Sequence, residues 1–86
     1  MKLNKNFLVH KSRNETIVVP TGEADFSGVI RGNQTLGTIL DLLQNDTTEQ
    51  QMIDIMAEEY DVDTAVIEQD VRTTVSRLKK IGAIDE

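Results

Sequence analysis

Residues Gly32 to Thr38, GNQTLGT, spell G-x-x-x-x-G-T, close to the phosphate-cradling pattern G-x-x-x-x-G-K-[ST]. A cradle of that kind works through the lysine that reaches the β- and γ-phosphates, and Thr38 stands in its place. It also belongs to a βαβ unit, whereas Thr47 leads into more helix. Nucleotide binding is therefore not expected. Gly32 is read instead as the sharp turn from strand to helix, and Gly37 as a point where that helix approaches a neighbour closely. Asp61-Val62-Asp63 opens like a calcium loop, but the loop would have Ala65 fifth, Val66 in place of the sixth-position glycine and Arg72 in place of the closing glutamate. The paired acids are caps and turn formers.

Acid–base and nucleophilic chemistry fare no better. The serines are Ser12, Ser27 and Ser76, none with a base beside it, and the single histidine, His10, stands in a strand-like run. With no cysteine, neither a disulfide framework nor thiolate metal ligation is available, and a reducing compartment is the default. An acyl carrier would need a serine at a helix start in an Asp-Ser-Leu setting, and none of the three sits there. The chain is expected to be no enzyme by itself and to need no cofactor or metal.

The elements that position these residues follow from period and punctuation. Residues 7–12 (FLVHKS) and 16–20 (TIVVP) are apolar, β-branched runs around Arg13-Asn14-Glu15, as in a hairpin. A loop follows Pro20, and Phe26 to Arg31 reads as a third strand. After Gly32 the apolar period changes from about 2 to about 3.6. Asn33 can cap a helix with Leu36, Ile39, Leu40 and Leu43 on one face. Thr47 or Thr48 starts a second, carried by Met52, Ile53, Met56, Ala57 and Tyr60. Asp63 caps a third with Ile67, Val71, Val75 and Leu78, and Gly82 fits a left-handed stop. The expected fold is α+β, one domain over 1–86: a three-stranded antiparallel β-meander (strands about 7–31), then a winged-helix-like bundle of three helices (about 33–82).

At 86 residues such a domain buries roughly 60–65% of its unfolded surface, too little for a large enclosed active site. The N-terminal MKLNKNFLVHK has no apolar run long enough for a signal peptide or a membrane span, so a soluble, cytoplasmic protein without membrane partner is expected. Net charge is −6, with ten carboxylates between Asp41 and Asp70 and no Lys or Arg between Gly32 and Val71. That weighs against the alternative reading, a winged-helix DNA-binding regulator. Its recognition helix would begin with Asp63, Glu68 and Asp70, and the phosphate attraction that drives nonspecific affinity is missing. No nucleic acid partner is expected.

A meander leaves its first and third strands as edges. Lys11 and His10 protect the first, while FSGVI (26–30) carries no charge and has Gly28 in its row. The third edge is expected to be open to an added strand, a mode in which backbone hydrogen bonds give affinity and side chains give specificity; the alternative is an edge covered by the chain's own N-terminus or last helix. Of the sets Ser27/Val29 and Gly28/Ile30, one directs its N–H groups into the sheet and the other towards a visitor; the sequence does not say which.

The run FSGVIRGN into QTLGTILDLL, then TTEQQMIDIMAEEYDVD, then VIEQDVRTTVSRLKKIGAIDE, resembles the PqqD family of pyrroloquinoline quinone biosynthesis and the related recognition domains of ribosomally made, modified peptides. The helix entry, the A-x-E-Y-D-V-D-like joint and the last helix ending L-x-x-x-G-hydrophobic occur in the family's order across residues 7–84. The resemblance implies noncatalytic work: binding a precursor's leader peptide as a strand and presenting it to a modifying enzyme, often a radical S-adenosylmethionine enzyme. Carried over by position, the groove would use Phe26, Gly28, Val29, Ile30 and Arg31, with Arg72, Val75, Ser76 and Lys79 on one flank of the last helix.

Overall fold

Three side-chain caps set where the helices begin. In the computed structural model, which describes residues 1–24 and 27–86, Asn33 Oδ1 accepts from the N–H groups of Thr35 (3.1 Å) and Leu36 (3.4 Å) and opens α1, Gln34–Leu42. Thr48 and Gln51 form a reciprocal capping box at the start of α2, Glu49–Glu59, with bonds of 3.1 and 3.2 Å. Asp63 accepts from the Ala65 N–H (3.0 Å) and opens α3, Thr64–Lys80. Gly82, at φ +77°, ends that helix in the left-handed conformation that glycine adopts without strain.

Ahead of the helices lie β1 (Lys2–Leu3), β2 (Phe7–Lys11), β3 (Thr16–Pro20) and β4 (Ile30–Gly32), and after them β5 (Ile84–Asp85). β2, β3 and β4 form the expected three-stranded antiparallel sheet in sequence order, so the α+β class holds. Two details differ from the sequence reading. The third strand, expected over 26–31, begins at Ile30 among the described residues and reaches Gly32. Gly28, at φ 128°, leaves the extended conformation and interrupts the run before it. Phe26 lies outside the described residues. The second detail is a separate antiparallel pair, β1 with β5, which brings Lys2 opposite Asp85 and Leu3 opposite Ile84.

The predicted stripes meet in one core. Leu36, Ile39, Leu40 and Leu43 of the first helical stretch, Met52, Ile53 and Met56 of α2, and Ile67, Val71, Val75 and Leu78 of α3 are all buried, with Phe7, Val18 and Ile30 from the sheet. Tyr60, half-buried, shares a 2.6 Å hydrogen bond with Thr38, tying the end of α2 to α1. Among the described residues no helix is long and apolar enough to cross a membrane.

Both glycines of the GNQTLGT segment have steric reasons. A Cβ on Gly32 would stand 2.9 Å from Leu36 Cβ, inside the turn that feeds α1. A Cβ on Gly37 would come within 2.8 Å of Thr16 Oγ1, where α1 lies against β3. Thr16 is itself buried and β-branched, so it has little room to yield. Gly37→Val is therefore expected to lower the unfolding free energy by about 1–3 kcal/mol, the usual cost of overpacking. Urea denaturation reads this directly, and an unchanged midpoint would mean that α1 stands off the sheet.

Candidate functional site

The hairpin turn decides which backbone groups reach the open edge. The Ser12 N–H donates to the Glu15 carbonyl (2.9 Å), and at the other end the Thr21 N–H donates to the Asn6 carbonyl (2.8 Å). Antiparallel pairs alternate between bonded and non-bonded. Leu8↔Val19 and His10↔Ile17 are therefore the bonded pairs of β2 and β3, while Lys11↔Thr16, Val9↔Val18 and Phe7↔Pro20 are not. Pro20, which has no N–H, sits at a position that needs none from β2. Thr16 and Val18 must then turn their backbone groups towards β4, where they face Gly32 and Ile30. Arg31, opposite Ile17, is left with its N–H and C=O directed away from the sheet, at an edge that no other strand of the described residues covers.

Beside this edge runs a cleft of about 260 Å³. One wall is the turn from β4 into α1, with Gly32, Asn33, Thr35 and Leu36; the other is α3, through Asp70, Thr73, Thr74 and Arg77. The four helix residues recur at i, i+3, i+4 and i+7, a single face next to the buried stripe. Val29, exposed, stands just before β4, and Val66, also exposed, precedes Asp70 by one turn of α3. The arrangement offers a visitor the outward N–H and C=O of Arg31, three threonines and one charge of each sign. It contains no nucleophile with a base beside it.

The structure distributes the sequence-predicted residues unevenly. Ile30 and Arg31 are on β4, the first buried in the core and the second exposed, with its guanidinium 3.3 Å from Glu15. Gly28 and Val29 are exposed and precede the strand. On α3, Val75 is a core residue, 1% exposed, and cannot present a side chain to a ligand without opening the core. Arg72 is held by Glu68 at 2.9 Å and Lys79 by Glu86 at 3.0 Å, while Ser76 is exposed; none of these lines the cleft. The residues that do, Asp70, Thr73, Thr74 and Arg77, were not singled out from the sequence. The set 70/73/74/77 and the set 72/75/76/79 differ by two residues, about 200° round a helix, so they flank opposite sides of the core stripe. A signal was present: Glu68 four residues before Arg72 marks a flank whose charges satisfy each other.

No curated protein sequence matches the chain significantly. Two solved structures share its fold. One, described as TbiB1 in complex with the TbiA(beta) leader peptide, superposes with a TM-score of 0.73 at 20% identity, over 99% of this chain and 100% of that one. The other, described as lasso peptide synthetase B1 complexed with the leader peptide, gives a TM-score of 0.73 at 18% identity, over 95% and 93%. Residues 15–84 match the family described as Coenzyme PQQ synthesis protein D (PqqD), a span that runs from the hairpin through β4 and all three helices, and the chain therefore belongs to the PqqD family.

Proposed function

We propose that this protein is a noncatalytic adaptor that binds the leader segment of a ribosomally made precursor peptide as a strand added to β4 and presents it to a peptide-modifying enzyme. The observation that carries the reading is the outward-facing backbone of Arg31 at an uncovered edge beside the α3 cleft. The two structures that share the fold are described with leader peptides bound, which supports the same ligand class here. A radical S-adenosylmethionine enzyme is one partner of the kind that the family resemblance implies.

Titrating the synthetic leader of a candidate precursor peptide into isotope-labelled protein tests the placement. Amide signals of residues 27–33 and 70–77 are expected to move together, with a dissociation constant of about micromolar or below, corresponding to roughly −8 kcal/mol or better. Shifts confined to the acidic α2 would remove β4 as the site. Duplex DNA titrated in parallel is expected to bind weakly, because a chain of net charge −6 releases few counterions. Tight binding with a steep salt slope would favour a regulator instead.

A further inference from the structure

The charges on the cleft face of α3 differ from the other ion-pairing residues near the site. Arg31, Arg72 and Lys79 are each engaged by a carboxylate, Glu15, Glu68 and Glu86 respectively. Asp70 and Arg77 both line the cleft, and among the described residues neither has an ion-pair partner. They lie on one helix face, with Thr73 and Thr74 between them. Seven residues of helix span about 10.5 Å at 1.5 Å each. An extended peptide covers that distance in about three residues, so same-face side chains two or four positions apart can reach both charges.

The direction of β4 is fixed relative to α3. Phe7, paired with Pro20 at one end of the sheet, shares a small cavity with Ile81 and Gly82 just past the end of α3. Gly32, which ends β4, and Leu36 share the cleft with residues 70–77. β4 runs from Ile30, opposite Val18, to Gly32, opposite Thr16, away from the Pro20 end of the sheet and towards the middle of α3, so it runs against the helix. A peptide that continues the antiparallel sheet on β4 therefore runs with α3, meeting Asp70 first and Arg77 later.

We infer that Asp70 and Arg77 read the charge order of the bound strand: a cationic or neutral residue beside Asp70, followed two or four residues later by a carboxylate beside Arg77. Order, rather than net charge, is selected, because a peptide of the same composition laid in reverse places like charges together at both ends. The inference rests on the strand-addition reading above and adds the ligand's sequence class to it.

A displayed library of random decapeptides, selected against the full chain, supplies the probe. Enriched peptides are expected to carry the cation-then-acid order, and selection against the Asp70→Lys, Arg77→Asp double variant is expected to enrich the opposite order. Both residues are exposed, so the variant should keep its fold, which circular dichroism checks. A synthetic winner should bind the wild-type chain about fivefold or more tightly than its order-reversed isomer, the scale of a rim ion pair. That preference should shrink at high salt and in Arg77→Gln, and vanish in the Asp70→Asn, Arg77→Gln double variant. Winners that shift the amides of Gly32 and 70–77 but show no charge order, or isomers that bind within twofold, overturn the charge reading and leave strand addition standing. Winners that map away from β4, or a selection that enriches nothing, overturn both.

Discussion

Ile30→Pro is expected to destabilise the fold severely, whereas Arg31→Pro, one residue on, keeps the fold and loses the bound strand. Ile30 faces Val18 in a bonded pair, so proline there removes a donor from inside the sheet, strands the Val18 carbonyl and deletes a buried side chain. The combined cost is about 3 kcal/mol or more, a large part of the roughly 5–10 kcal/mol available to a small domain. Arg31 donates its N–H to no strand of the described residues, so proline costs the fold little beyond an exposed ion pair with Glu15. It does remove a donor that an added strand needs, for an affinity loss of about tenfold. Arg31→Ala keeps the donor and separates backbone from side chain. Thermal melts and peptide titrations of the three variants decide the matter. If Arg31→Pro binds a leader as well as Arg31→Ala does, strand addition on β4 is wrong.

Leu78→Ala is the second large effect, and it tests the support under the cleft. Leu78 is fully buried on α3, one residue beyond Arg77, and truncating it leaves a cavity among the helices. Losses for such changes are about 2–5 kcal/mol, which in a domain of this length lowers the melting temperature by roughly 10–25 °C. Ser76→Ala, on the exposed side of the same turn, is expected to stay within about 0.5 kcal/mol of the parent. Equal melting points for the two variants would show that α3 does not pack through the Ile67, Val71, Val75 and Leu78 face.

Much of this architecture was legible in the residues themselves. The three helices could be read from apolar stripes of period 3.6 and from Asn33, the Thr47-Thr48 pair and Asp63, because a cap and a stripe are local properties of one segment and its own backbone; the structure chose Thr48 of the pair. Gly82 could be read as a stop and Thr38 as the wrong residue for a phosphate site for the same reason. The β1–β5 pair could not: two-residue strands show no alternation, and their partners lie at opposite ends of the chain. The start of the third strand was misplaced because FSGVI looks continuous in composition, while the positive φ at Gly28 becomes visible only in the folded backbone.

The site divides along the same line. The sequence by itself determined that a third strand leads into a capped helix, and that α3 has a buried stripe with a polar flank on either side. A helical period orients side chains about their own axis and says nothing about which neighbour stands on either side, so only the packing of β4 and α1 against α3 placed Asp70, Thr73, Thr74 and Arg77, rather than Arg72, Ser76 and Lys79, along the cleft. Likewise a strand's period of two leaves both assignments of inward and outward N–H groups open. The Ser12–Glu15 turn bond sets the parity of β2 and β3, β3 passes it to β4, and only that chain of contacts turns the Arg31 backbone outward.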